Sequence, residues 1–221
     1  MGNPKEWPPG TLPFEAAYRA RRRLEEAKRG EAIRGLIANL RSKAEISNKL
    51  LTTTEHLAAG NPSRLGSSTP GATVVVFSDY QCGFCRKADS ALRPALQRWP
   101  ALQVVVRHYP LPNHPQAVLA AKAALCADDQ GKFESYHRLA FHQTLSPETL
   151  DEAARAVGLD VALFRSCLES PHVQARLETD LELGKRLKVD GTPTIYFNNE
   201  RMASVEEVIT RLENRFSSSR N

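Results

Sequence analysis

Cys82 and Cys85, separated only by Gly83 and Phe84, are the side chains of this sequence best suited to chemistry. A thiolate attacks a disulfide sulfur, and a second cysteine three residues on can attack the resulting mixed disulfide and release the product. The same spacing is half of a zinc site, but a structural zinc usually takes a second close pair. Here Cys126 and Cys167 stand far from Cys82 and from each other. The residues therefore favour dithiol–disulfide exchange over metal binding, with Cys82 attacking and Cys85 resolving. His114, His137, His142 and His172 show no metal-ligand spacing, and no cofactor or metal is expected.

That chemistry asks for elements that hold Cys82 at a helix start. Thr73 to Phe77 is β-branched and apolar, short enough for a buried strand. Arg86 to Trp99 carries Ala88, Ala91, Leu92, Ala95 and Leu96 at helical spacing, with Pro94 a candidate kink. Cys82 falls where strand gives way to helix, where unpaired backbone N–H groups stabilise a thiolate. A second strand is expected at Gln103–His108, followed by a turn over Tyr109–Asn113. From His114 to about Leu187 the pattern is helical. Within it, Ser146-Pro147, Asp160 and Pro171 open successive helices. Val189 to Phe197 reads as a turn and a third strand, Asn198-Asn199 as a hairpin turn, and Arg201-Met202 as a short fourth strand. Ser204 to Glu207 has the capping-box pattern of a last helix running to about Phe216.

The front of the chain differs. Residues 1–13 are rich in proline and read as an extended lead. Phe14 to about Lys43 reads as a helix whose apolar residues change sides near Gly30. Phe14, Ala17 and Leu24 share one face; Ile33, Leu36, Ile37 and Leu40 share another. A break or kink is expected at Gly30. Glu45–Leu51 reads as a short strand or a further helical turn. Loop-like runs at 59–63 and 66–71 mark a domain boundary. The domains read as 1–60, a proline-rich lead and helical extension, then 61–216, then a loose tail at 217–221.

Charge follows this division. Of the net +5, residues 1–50 hold eleven Lys/Arg against six Asp/Glu, whereas residues 51–221 hold nineteen of each. The run Arg21-Arg22-Arg23 is followed by Glu25 and Glu26, which suits a solvated helix face, and no nucleic-acid partner is expected. No apolar run approaches the ~20 residues of a membrane span. The opening residues lack the apolar core of a secretory signal, so the chain is either cytosolic or has had its signal or anchor removed. Four cysteines permit two disulfides, which favours an oxidising, periplasmic or otherwise extracytoplasmic compartment.

Four stretches in order, Phe77–Cys85, Arg107–Pro112, Ala124–Phe133 and Val189–Thr194, resemble the DsbA-like thiol-disulfide oxidoreductases of the bacterial periplasm, including the DsbC and DsbG isomerases. The resemblance covers about residues 64–216. It implies an α/β protein: a thioredoxin fold with an inserted helical subdomain at about 114–187, preceded here by the N-terminal helical extension. It implies that the Thr192–Pro193 peptide is cis and lies against the two sulfurs, with Thr192, Pro193 and Phe84 meeting an extended substrate. It also implies a second, structural disulfide between Cys126 and Cys167; two buried free thiols are the alternative. Many relatives carry a buried carboxylate six residues before the first cysteine. This chain has Val76 there, which leaves the proton of Cys85 to water or His108, Asp79 being at a spacing that points it elsewhere.

Expected partners are protein substrates with thiols or disulfides and a redox partner protein, one bound to the membrane included. The Gly-Phe dipeptide resembles the Gly-Tyr of the isomerase branch more than the Pro-His of the strong oxidase, and Thr192 fits both. The two apolar faces of the N-terminal helix invite a homo-oligomer, which isomerases use. The reading is therefore an isomerase or reductase, with a DsbA-type oxidase as alternative. A Cu(I)-binding or chaperone-like protein using the two thiolates is the alternative of another class.

Overall fold

The computed structural model describes residues 13–43 and 57–217. Contacts divide the chain into a unit at 1–50 and one at 51–221. In the first, α1 (Pro13–Lys43) is one continuous helix. The expected break at Gly30 is absent: the cost of about 1 kcal/mol for a glycine inside a helix is small beside a run rich in Ala, Arg, Glu and Leu. Arg21–Glu25 and Arg22–Glu26 pair one turn apart, as a solvated face requires. Tyr18, Leu24, Ile33 and Leu36 are all more than half exposed. The side chains of Phe14, Ile37 and Leu40 lie outside the described residues, as do 1–12, the Glu45–Leu51 segment and the last four residues of the tail.

The second unit runs β1 (Ser63–Gly66), β2 (Ala72–Ser78), α2 (Gly83–Arg98), β3 (Leu102–His108), α3 (Ala117–Asp129), α4 (Phe133–His142), α5 (Pro147–Ala156), α6 (Val161–Leu168), α7 (Pro171–Arg186), β4 (Thr194–Phe197), β5 (Glu200–Met202) and α8 (Val205–Ser217). The strands form one sheet in the order β1-β3-β2-β4-β5. β2 pairs parallel with β3, from Ala72↔Leu102 to Ser78↔His108, and antiparallel with β4. This is the α/β thioredoxin arrangement, with α3 to α7 inserted between β3 and β4.

β2 and β3 are buried along their whole length, which is why their sequences are nearly unbroken apolar runs. Alternation still sorts their side chains. Val74, Val76, Val104 and Val106 join the core under α2, α8 and the inserted helices. Val75, Phe77 and Val105 join Leu57, Leu183, Val189 and Tyr196 on the other face. Ser146 and Thr149 form a reciprocal cap on α5, Asp160 caps α6 and Ser170 caps α7. In α8 the Glu207 N–H donates to Ser204 Oγ at 3.3 Å, but the Glu207 carboxylate accepts from Ala203 N at 3.0 Å, one residue before the expected partner. α3 opens at Ala117, three residues after the expected start of the helical run at His114.

β1 is a strand that sequence patterning placed among loops. It has four residues and pairs antiparallel with β3. Gly66 ends it at φ +80°, where a Cβ would collide with the Leu102 carbonyl. The unit also begins before the expected boundary at 61. Leu57 is fully buried. The guanidinium of Arg107 donates to the carbonyls of Leu57 and Ala59 and pairs with Asp180 at 2.8 Å. Arg176 donates to Asn61 O and pairs with Asp128 and Asp129. Two buried cations thus fasten residues 57–61 to the sheet and α7.

Candidate active site

The turn between β2 and α2 sets the geometry. Asp79 is almost wholly buried, and its carboxylate accepts from Gln81 N at 2.7 Å, Leu111 N at 2.8 Å and His114 Nδ1 at 2.8 Å. Gln81 Oε1 accepts from Gln116 N at 2.9 Å. These bonds clamp the turn to the segment after β3. They leave Cys82 in extended conformation, φ −79° and ψ 119°, as the N-cap of α2. Its carbonyl begins the helix, accepting from Arg86 N. No acidic side chain occupies the first turn, and Arg86 and Lys87 are exposed there.

Cys82 and Cys85 are both free thiols and both buried, at 7% and 1% exposure. Cys82 is the outer of the two. Its Sγ–H donates to the Thr192 carbonyl at 3.3 Å. The Thr192–Pro193 peptide is cis. Cys85 Sγ accepts from Asp79 N at 3.4 Å. Burial pushes the Cys85 thiol up to about 12; hydrogen bonds from the Thr192 hydroxyl and Asp79 N–H oppose this, and the neighbouring Cys82 adds to it. The Thr192 hydroxyl is buried beside Cys85.

Beside Cys82 opens a groove of about 330 Å³ lined by Phe84, Lys87, Pro193, Ile195, Met202 and Val205, among others. Phe84 is 71% exposed, with Lys87 Nζ 5.7 Å from its ring centre. Thr192, Pro193 and Phe84 thus lie together around one opening, and Cys82 Sγ meets the carbonyl of Thr192. An extended chain in it would find apolar contact and the backbone beside the cis peptide.

Cys126 and Cys167 are joined by a disulfide between α3 and α6, with Cα atoms 5.8 Å apart. His108, an open candidate for proton transfer, makes no hydrogen bond to either cysteine and does not line the space behind Cys85. It is fully buried, burial drives its titration down to about 3, and its Nε2 faces Ser63 Oγ at 3.4 Å. The expectation that Asp79 points elsewhere holds: its carboxylate serves the loop, and only its backbone meets the cysteines, the N–H donating to Cys85 Sγ and the carbonyl accepting from Cys82 N.

Two pairs went unread from the sequence, Asp79–His114 and Asp89–His137. A signal existed for Asp89, which is four residues after Cys85 and so on the same helix face. Among the described residues, no cluster of His, Cys, Asp or Glu is placed to hold a metal ion, and no helix is long and apolar enough to cross a membrane.

Residues 73–216 match the model of the DSBA-like thioredoxin domain. A thioredoxin-like oxidoreductase from Silicibacter pomeroyi DSS-3 is 26% identical, covering 73% of this chain and 95% of its own with a TM-score of 0.65. The compact form of ScsC from Proteus mirabilis is 18% identical but covers 94% of this chain and all of its own, with a TM-score of 0.65. Among curated proteins, the Na(+)/H(+) antiporter NhaA 3 of Salinispora tropica is 36% identical over 132 residues. That is 58% of this chain, which spans only about a fifth of the length of the curated relatives it matches. With a match over most of its length and two thiols at the head of α2 beside a cis-proline, the chain belongs to the DsbA-like thioredoxin family, a family of thiol-disulfide oxidoreductases.

Proposed function

We propose that the chain exchanges disulfides with protein substrates through Cys82 and Cys85, as an isomerase or reductase rather than a dithiol oxidase. The observation that carries the exchange is the unequal setting of the two sulfurs. Cys82 sits at a helix N-terminus, bonded to the carbonyl of Thr192, which lines an apolar groove, whereas Cys85 is sealed and held as a thiol. The outer sulfur attacks a substrate disulfide and the inner one releases it. The Cu(I)-binding alternative needs both sulfurs to reach one ion, and Cys85 is only 1% exposed.

The isomerase lean rests on Gly83-Phe84 and on the exposed apolar residues of α1. Tyr18, Leu24, Ile33 and Leu36 offer a surface for a second copy of the chain, and paired catalytic units suit the handling of misfolded substrates. The Cys126–Cys167 disulfide supports an oxidising, extracytoplasmic location. A similar solved protein from Salmonella enterica is described as periplasmic. A redox partner at the membrane is in keeping with the antiporter relatives, whose much longer chains include a stretch like this one.

The test is a pair of assays on the whole chain. Reactivation of a scrambled disulfide protein should be faster than oxidation of a reduced one, and light scattering should find an oligomer. Rapid oxidation without reshuffling by a monomer would make the chain an oxidase. Tight Cu(I) binding without thiol exchange would make it a metal-binding protein.

A further inference from the structure

Behind Cys85 lies a cavity of about 20 Å³, above the ~10–15 Å³ that one water molecule needs. Cys85, Asp89, His137, Ser78, Val76 and Phe141 are among its walls. Asp89 is one helical turn after Cys85 and mostly buried. His137, on α4, lies 3.0 Å from Asp89 Oδ1 through Nε2 and 2.7 Å from the Tyr80 hydroxyl through Nδ1. Arg93 Nε donates to Asp89 Oδ2 at 2.7 Å. Burial alone would raise the Asp89 carboxyl, but the hydrogen bond and charge of His137 and the pairing with Arg93 outweigh it, and the group is held below the usual carboxylate range. Burial keeps the Tyr80 phenol protonated. His137 Nε2–H donates to Asp89 Oδ1, and its Nδ1 is paired with the Tyr80 hydroxyl. Each carboxylate oxygen then accepts one bond from the protein and keeps a free lone pair. The ring nitrogens of His137 are both engaged.

We propose that Asp89 takes the proton of Cys85 through one water in this cavity, with His137 and Arg93 as positioning residues that hold the two carboxylate oxygens by hydrogen bonds. The proposal rests on the exchange reading above. In the mixed disulfide, Cys82 is bonded to a substrate sulfur. The Cys85 S–H proton passes by way of the water to Asp89. The Cys85 electron pair forms a bond to Cys82 Sγ, and the bond from Cys82 to the substrate breaks. The substrate sulfur leaves as a thiolate with the bonding pair and is protonated by solvent. The dithiol is thereby oxidised by two electrons and the substrate disulfide reduced. Asp89 returns its proton to water, as a carboxyl held low does readily. The role that a carboxylate on the sheet would play at Val76 is filled from the helix.

The titratable and charged groups facing the cavity and its walls are Cys85, Cys82 and Arg93 on α2, Asp79 and Tyr80 on the preceding turn, His137 on α4, and His108 on β3. His108 remains neutral above pH 5, so it adds no inflection to a profile between pH 5 and 8.

Stopped-flow reaction of the reduced whole chain with excess 5,5′-dithiobis(2-nitrobenzoate) separates the two steps. The first release of thionitrobenzoate depends on reagent concentration and reports Cys82; the second does not and reports Cys85. The second rate in the native protein should be nearly flat from pH 5 to 8. Asp89→Asn should slow it at least tenfold at pH 6 and make it rise about tenfold per pH unit, leaving the first release within twofold; general-base catalysis is typically worth more than this floor. Asp89→Glu should restore most of the rate. A native second rate that itself rises tenfold per pH unit overturns the proposal, and that measurement needs no variant. So does an Asp89→Asn protein with the native second rate and profile, or with both releases slowed alike. If Cys82→Ala releases thionitrobenzoate in the same two phases as the native chain, the exchange reading itself fails, and the relay with it.

Discussion

The chain holds two cysteine pairs, and the same element meets opposite physical settings in them. Cys82 and Cys85 lie one helical turn apart at the start of α2, where the outer sulfur touches a backbone carbonyl and a groove opens beside it. Cys126 and Cys167 are 41 residues apart, and their bond ties α3 to α6 inside the helical insertion. The first pair is held by other groups whether or not the sulfurs are bonded: the Asp79 clamp, the cis-proline turn and the helix. The second pair is itself the tie. A sulfur pair is free to exchange when the fold does not depend on its bond, and structural when it does.

Removing single sulfurs gives the largest contrast. Cys82→Ala should drop insulin reduction to the uncatalysed background, whereas the double change of Cys126 and Cys167 to Ser should leave the turnover of the folded protein within about twofold. In denaturant titrations the order reverses. The double serine protein should lose roughly 3–4 kcal/mol, the chain-entropy value for a loop of that size, and Cys82→Ala less than about 1 kcal/mol. A Cys126/Cys167 variant as stable as the native chain would break the comparison.

The reduced protein sharpens it at high pH. Burial raises the Cys85 thiol from its ordinary 9.0 to about 12. Its folded value lies above the unfolded one, so the contribution is fully present below pH 9 and is lost as pH rises through 12. The slope is about 1.4 kcal/mol per pH unit within that window. The bonded pair has no thiol to titrate. Melting curves of the reduced-site protein between pH 8 and 11 should therefore fall more steeply than those of Cys85→Ser. Equal slopes would contradict the buried-thiol assignment.

A smaller effect is expected at the groove. Phe84→Ser, at a position 71% exposed, should change stability by no more than about 0.5 kcal/mol. It should slow exchange with an unfolded protein substrate several-fold and leave the reaction with glutathione disulfide unchanged. Equal slowing of both substrates would place Phe84 in the support of Cys82 rather than in the groove.

Much of this molecule was legible because its signals are local. Cys82 at a strand-to-helix junction, the caps at Ser146 and Asp160, the opening of α7 at Pro171, and the positive-φ turn at Asn198-Asn199 each follow from a few adjacent residues. β1 did not announce itself, because four residues between glycine- and proline-rich runs acquire strand character only by pairing with β3. Gly30 was overweighted as a breaker within a strongly helical run. The histidine partners of Asp79 and Asp89 lie 35 and 48 residues away, beyond β3, so no short window of sequence contains both members of either pair. Only the placement of Asp89 one turn beyond Cys85 was there to be read.

The central claim is that Cys82 is the sulfur that meets substrate, and a trapped intermediate tests it most directly. Whole-chain Cys85→Ala is mixed with an unfolded protein carrying a disulfide, quenched with acid and digested for mass spectrometry. The account predicts a mixed disulfide on the peptide containing Cys82, with Cys126 and Cys167 still joined. Substrate attached to Cys126 or Cys167, or trapped on Cys85 in the Cys82→Ala protein in equal yield, would contradict it.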